Sequence, residues 1–126
     1  MSKRLLVIDD QSGMIKLVSH IAAGQGYEVK AVTDAMLATD AFLEFKPDII
    51  VLDLVMPKKD GIEVLEEILE TGAQTRIIVM SGYGEHYLRS AAGIARFHGN
   101  DQVSVIHKPF RRDALVELLE QAPVGA

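Results

Sequence analysis

Short apolar runs alternate along the chain with longer segments in which apolar residues recur every three or four positions. The longer segments predict five amphipathic helices, the fourth over residues 85–97. The short runs predict five strands, at residues 4–8, 28–32, 49–52, 77–80 and 103–106. Because strand and helix alternate throughout, the pattern is typical of an α/β fold, a doubly wound five-stranded parallel sheet with helices on both faces.

The predicted helices carry their own start and stop signals. Ser12 is expected to cap the first helix and Asp34 the second, since these side chains accept hydrogen bonds from the free amides of a first turn. Pro47 ends the second helix, and Gly72 marks the end of the third. The periodicity places the following residues inward: Met14, Ile15, Leu17, Val18, Ile21, Ala22; Leu37, Ala38, Ala41, Phe42, Phe45; Ile62, Leu65, Ile68, Leu69; Leu115, Leu118, Leu119.

Length, charge and composition argue against several classes of function for this chain. The 126 residues fit one domain, predicted over residues 1–122 with a short tail over 123–126. A net charge of −5 argues against a nucleic-acid-binding face, and the absence of cysteine excludes disulfides and cysteine-based zinc sites. No apolar run approaches the roughly 20 residues of a membrane span, and the start is too short for a signal peptide. A soluble, cytoplasmic protein is expected.

Polar or charged residues follow four of the predicted strands. In chain order they are Asp9-Asp10, Asp53, Ser81 and Lys108. Because the carboxyl ends of parallel strands meet at one edge of a sheet, where ligands bind, we expect these side chains to form one acid-rich pocket.

That pocket has a definite chemistry. Three aspartates packed together repel one another, so the pocket requires cations beyond Lys108, and Mg²⁺ is favoured because it binds through a few carboxylates while keeping waters. A carboxylate beside Mg²⁺ and a lysine can attack a phosphoryl group, and Asp53 is best placed to form such an aspartyl phosphate. The Ser81 hydroxyl and the Lys108 ammonium would share the charge of the transferred group. Gly82 is small enough to leave room for it.

Taken together, these motifs resemble the receiver domains of bacterial two-component response regulators, over essentially the whole chain. The resemblance is carried by LLVIDDQSGM, IIVLDLVMPKKDG, VMSGYG and KPF. It implies a flavodoxin-like strand order of 2-1-3-4-5 and a regulator, phosphorylated autocatalytically at Asp53, rather than a metabolic enzyme. It also implies direct Mg²⁺ ligation by Asp10, Asp53 and the Val55 backbone carbonyl, with Asp9 acting through water. Pro109 is expected to support the loop after Lys108, as a cis turn or otherwise.

The resemblance also implies partners. A histidine kinase or phosphotransfer protein would dock near the first helix, and an output domain or partner protein would contact the face of the fourth helix, fifth strand and fifth helix. Direct binding to nucleic acid or to a membrane is not expected, and dimerisation is left open.

A few positions depart from the family pattern, and two occupy places that set the rate of phosphoryl hydrolysis in the family. Val105 stands where the family usually places the Tyr or Phe that reorients on phosphorylation, and the segment between Ser81 and Lys108 is longer than usual. Tyr83 and His107 are candidate relays, although each is by default a surface residue with no such role. Val55 and Tyr83 occupy the positions that tune hydrolysis in the family, and since neither can orient a water, a long-lived phosphoform is predicted.

Two other functions compete with this interpretation. A phosphohydrolase of the haloacid-dehalogenase type uses similar groups, but its nucleophile lies on the first strand with an acidic residue two positions later, where this chain has Gln11. A binding module that keeps the fold without being phosphorylated is the second, and the departure at Val105 keeps it open. Each motif alone is more typical of a turn or a cap, so the prediction depends on their conjunction at four strand ends.

Overall fold

Five parallel strands form one sheet in a computed structural model that describes residues 3–82 and 85–121. The strands are β1 (Lys3–Ile8), β2 (Tyr27–Val32), β3 (Ile49–Asp53), β4 (Arg76–Ser81) and β5 (Val103–His107). The helices are α1 (Ser12–Gly24), α2 (Ala38–Phe45), α3 (Gly61–Glu70), α4 (Glu85–Phe97) and α5 (Arg112–Glu120). The sheet order is β2-β1-β3-β4-β5, which confirms the predicted fold class.

The sheet separates two apolar clusters. Every residue of the central strand β3 is buried. Ile50 and Leu52 point into the cluster with α2, α3 and α4, whereas Ile49 and Val51 point into the cluster with α1 and α5. The edge strand β5 is less enclosed, since most of its residues are only half-buried. Because parallel strands are connected by right-handed crossovers, the helices are divided between the two faces in this way.

The start of α1 differs from the prediction. Gln11, not Ser12, is the N-cap, and its side chain makes no capping hydrogen bond, while Ser12 is the first helical residue. The Asp9 carboxylate instead accepts a hydrogen bond from the Gln11 amide at 2.9 Å. An aspartate at the end of β1 therefore fixes the turn into the helix. Leu17, at the margin of the apolar stripe, is exposed rather than inward.

The start of the second helix is also more complex than predicted. Asp34 does act as a cap, because its carboxylate accepts a hydrogen bond from the Met36 amide at 2.9 Å. The element that it caps is a 3₁₀ turn, Ala35–Leu37, and α2 begins only after it. A 3₁₀ turn has about three residues per turn instead of 3.6, so the spacing that places α2 residues against the core does not apply within it. Leu37, predicted to face the core, is 57% exposed for this reason.

The predicted ends of the second and third helices agree with the structure. Lys46 adopts a left-handed conformation directly before Pro47, and Gly72 does the same after α3. The bounds of α4 coincide with the predicted ones. Tyr83 and the predicted tail at 123–126 lie outside the described residues, so the domain boundary at 122 stays a prediction. Among the helices of the described ranges, none has the length and apolar character needed to cross a membrane.

A buried asparagine connects the loops at the opposite edge of the sheet, before β4 and β5. Asn100 is fully buried, and its amide nitrogen donates to the carbonyl oxygens of Ala73, at 3.3 Å, and Thr75, at 3.0 Å. Its side-chain oxygen accepts from the Gln102 amide at 2.8 Å. These bonds join the α3–β4 loop to the α4–β5 loop and so hold β4 and β5 in register.

Candidate functional site

The polar residues at the strand ends lie together at the carboxyl edge of the sheet. Asp9 follows β1, Asp53 ends β3 and Ser81 ends β4, and all three are buried. Asp10 is exposed beside them. Asp9, Asp10 and Asp53 each offer one carboxylate oxygen, and these oxygens all lie within 4.8 Å of one another. A set of carboxylate oxygens is the donor chemistry that hard divalent cations prefer, so these residues could hold such an ion.

Lys108 lies between two of these carboxylates. Its ammonium nitrogen is 3.0 Å from Asp9 Oδ2 and 3.2 Å from Asp53 Oδ2, and its side chain is only 17% exposed. The backbone amide of Lys108 donates to the Ser81 carbonyl at 3.0 Å, and the peptide bond to Pro109 is cis. Burial alone would lower the pKa of Lys108, but the hydrogen bond with Asp9 and the charges of Asp53 and Asp9 outweigh it and raise the pKa.

Both carboxylate oxygens of Asp53 have partners. Its Oδ1 accepts a hydrogen bond from the Val55 amide at 3.2 Å, and its Oδ2 faces Lys108. Burial raises the pKa of Asp53, the Val55 amide opposes that shift, the charge of Asp9 adds to it and Lys108 lowers it, so that the pKa is raised on balance. Lys108 faces a group of three carboxylates, so the pocket carries excess negative charge. A bound divalent cation would relieve this repulsion.

Ser81, Gly82 and His107 lie at the same edge of the sheet. Ser81 pairs in register with His107 at the ends of β4 and β5, and His107 is exposed. A Cβ atom added to Gly82 would meet no heavy atom within 4 Å among the described residues. Val105 is half-buried and packs against the cluster under α4. Tyr83 lies outside the described residues, and its role stays a prediction.

One residue of the site was not predicted by the sequence argument. A Cβ atom at Gly61 would lie 2.4 Å from the Asp53 carbonyl oxygen and 2.4 Å from Leu54 Cα. The Gly61 amide donates to the Leu54 carbonyl at 3.1 Å, so α3 begins directly against the end of β3. The Asp60-Gly61 pair in the sequence indicates a turn and a helix cap, but not this close approach.

The loop between β3 and α3 also carries an ion pair that the sequence did not indicate. The Lys59 ammonium lies 2.6 Å from Glu67 Oε1 and 2.5 Å from Oε2, and the Thr39 hydroxyl donates to the same Oε1 at 2.7 Å. The hydrogen bonds from Lys59 and then Thr39 lower the pKa of Glu67 below its ordinary value. The three residues come from the loop, α3 and α2, so only the folded chain brings them together.

Comparison with known proteins relates this arrangement to a large family. The model of the response regulator receiver domain matches residues 5–120. The chemotaxis protein CheY of Thermotoga maritima is 33% identical over 125 residues, which cover 96% of this chain and 98% of that protein. Sporulation initiation phosphotransferase F of Bacillus subtilis is 32% identical over 85 residues, 68% of this chain and 68% of that protein.

Solved structures give the same result for the fold. The chemotaxis protein CheY4 of Vibrio cholerae superposes with a TM-score of 0.83 at 22% identity, covering 95% of this chain and 98% of that one. The receiver domain of NtrX from Brucella abortus superposes with a TM-score of 0.79 at 28% identity, covering 97% and 99%. Sequence and backbone comparisons thus agree over nearly the whole described chain.

Proposed function

Because this chain belongs to the response regulator receiver domain family, we propose that Asp53 accepts a phosphoryl group from a histidine kinase or phosphotransfer protein, in a Mg²⁺-dependent reaction. Receiver domains are signalling domains rather than metabolic enzymes, and the chain is a regulator in that sense. The observation that carries the proposal is the geometry of Asp53. Its carboxylate lies 3.2 Å from the Lys108 ammonium and within 4.8 Å of oxygens from Asp9 and Asp10.

In the proposed reaction, a carboxylate oxygen of Asp53 attacks the phosphorus of a phosphohistidine. The bond from phosphorus to the imidazole nitrogen breaks, and the nitrogen keeps the electron pair. Lys108, already shared between Asp9 and Asp53, can turn its ammonium to the transferred oxygens. Asp10, Asp53 and the Val55 carbonyl would hold Mg²⁺ directly, with Asp9 acting through water. When bound, Mg²⁺ supplies further neutralisation of the phosphoryl charge.

Docking of the phosphodonor near α1 is supported by the position of that helix. The chain passes from Asp9 and Asp10 into α1 within two residues, and Gln11, Ser12 and Gly13 are exposed beside the pocket. A partner that contacts this turn would bring its phosphohistidine over Asp53. A histidine kinase domain or a phosphotransfer protein is therefore the proposed donor.

The proposed output is a change in the surface of α4, β5 and α5. Ser81 and Lys108 end or follow the strands that lie beneath this face, so motion of either side chain toward a phosphoryl oxygen would displace those strand ends. The added charge would then bias an equilibrium between two surface states. His107 is the proposed relay, because it pairs in register with Ser81. Phosphorylation-dependent spectra that are unchanged in His107→Ala would remove that assignment.

The test is the intact mass of the protein after incubation with acetyl phosphate, with and without Mg²⁺. A single phosphoryl adduct is expected that requires Mg²⁺ and is lost in Asp53→Asn. Asp40→Asn, which removes an exposed carboxylate on α2, is the matched control and should be phosphorylated normally. No adduct on a folded, Mg²⁺-bound protein would favour the other function considered above, a binding module that is not phosphorylated.

A further inference from the structure

The loop from Leu54 to Asp60 connects the phosphoacceptor strand to α3. Two backbone amides hold its ends: Val55 donates to the Asp53 side-chain oxygen Oδ1, and Gly61 donates to the Leu54 carbonyl. Between them, Lys58 adopts a left-handed conformation with φ of 69°, which a residue with a side chain rarely takes. The Lys59 amide closes the turn around Lys58 by donating to the Pro57 carbonyl at 2.8 Å. Such a conformation persists where surrounding contacts determine it, so an anchor from the middle of the loop to the rest of the fold would stabilise it further.

Lys59 provides that anchor. Its side chain is 12% exposed, and its ammonium is paired with both carboxylate oxygens of Glu67 on α3. The Thr39 hydroxyl on α2 orients the same carboxylate. Because the Lys59 side chain is largely enclosed, removal of its partner would leave its charge without compensation, and Lys59 would move toward solvent.

We propose that Lys59 is a positioning residue for the metal pocket. Anchored by Glu67 and Thr39, it holds the loop in the conformation in which the Val55 backbone carbonyl can bind Mg²⁺. The inference rests on the proposed function, because Val55 is assigned as a ligand there. It adds a determinant of metal affinity that pairs with α3, and through Glu67 with Thr39 of α2, rather than with the ion.

The competing explanation is an ordinary stabilising ion pair between a loop and a helix. Both explanations predict a lower melting temperature when the pair is broken. Only the positioning role predicts a loss of Mg²⁺ affinity in a protein that is still folded. Residues that orient metal ligands commonly change affinity by about 10- to 100-fold, and an effect transmitted through a loop backbone should lie at or below the lower limit.

The experiment is a calorimetric titration of the unphosphorylated protein with Mg²⁺, alongside its melting temperature. Lys59→Met and Glu67→Gln should each weaken Mg²⁺ binding by about three- to tenfold, and the double variant should be no weaker than the singles, because they remove one shared interaction. Lys59→Arg, which keeps the charge, should retain wild-type affinity. Glu28→Gln is the matched control, because it breaks the 3.4 Å pair with Arg4 at the opposite edge of the sheet.

The outcomes separate the inference from the function on which it rests. Unchanged Mg²⁺ affinity in Lys59→Met and Glu67→Gln, with a wild type that binds Mg²⁺ and is phosphorylated, would overturn the positioning role alone. An equal loss of affinity in Glu28→Gln would overturn it too, since the effect would then follow general destabilisation. A wild type that binds no Mg²⁺ would overturn both this inference and the metal dependence of the proposed function.

Discussion

Val55 is the residue of the pocket with the clearest kinetic consequence. It is 40% exposed at the edge of the site and offers an apolar side chain there. A carboxylate or amide at this place could orient an attacking water, but a valine cannot, so the phosphoform should be long-lived. Val55→Asn is expected to shorten its half-life by about tenfold, a modest part of what a positioned catalytic group contributes. Loss of the phosphoryl group can be followed by intact mass, and a wild-type half-life of seconds would contradict the prediction.

Gly61 should be the least tolerant glycine of the described residues. The added methyl group of Gly61→Ala would collide with the backbone of Asp53 and Leu54, which cannot shift without displacing the phosphoacceptor. The expected cost is about 3 kcal/mol of unfolding free energy, measured by denaturant titration. Gly93→Ala on α4 is the control, since its Cβ would meet no heavy atom within 4 Å among the described residues, and it should stabilise by about 0.5 kcal/mol. Equal stability of the two variants would contradict the close approach.

The contact of α2 and α3 through Glu67 should be sensitive to pH. The pKa of Glu67 is lowered in the folded state, so its carboxylate contributes stability at neutral pH that is lost as the pH falls below the ordinary glutamate value of about 4.3. Wild type should therefore melt above Glu67→Gln at about pH 7, and the difference should close toward about pH 3. A difference that is constant over this range would show that the charge of Glu67 does not contribute.

The connection through Asn100 should matter to stability but not to the pocket. Asn100→Ala removes three hydrogen bonds of a fully buried side chain, and the expected loss is about 2 kcal/mol of unfolding free energy. Mg²⁺ affinity and phosphorylation of the folded variant should be unchanged, because Asn100 lies at the opposite edge of the sheet. A selective loss of phosphorylation would contradict this separation.

The elements of this fold could be predicted from sequence because each has its own local signal. Short apolar runs placed Asp53 and Ser81 at strand ends, and a parallel sheet brings such ends to one edge. A 3₁₀ turn of only three residues leaves no recognisable period in the sequence. The apolar pattern of α2 was therefore extended back to Leu37, which is exposed in the turn. Lys59 and Thr39 meet on Glu67 from separate elements, and no local pattern indicates which of many charged surface residues will pair.

At the scale of the whole molecule, Mg²⁺ should act as a stabilising ligand. A ligand at about 100 times its dissociation constant adds about 2.7 kcal/mol to a fold that binds it only in the native state. Burial raises the pKa of Asp53, so protons compete with Mg²⁺ at a higher pH than they would for an ordinary aspartate. The rise in melting temperature with Mg²⁺ should thus be large at about pH 7 and small at about pH 4, and Asp53→Asn should lose most of it. An equal rise in melting temperature at both pH values would show that Mg²⁺ binds at a site that does not include Asp53.

The unequal enclosure of the strands has a mechanical consequence. Asp53 ends a strand whose five residues are all buried between two apolar clusters, whereas the edge strand β5 is mostly half-buried. The other edge strand, β2, is more exposed still, so burial alone does not select one edge. What distinguishes β5 is its pairing with β4, whose last residue, Ser81, lies at the pocket and opposite His107. A displacement at Asp53 should therefore reach the outer edge of the sheet through Ser81 and a half-buried β5 that has room to move, without an aromatic side chain at Val105.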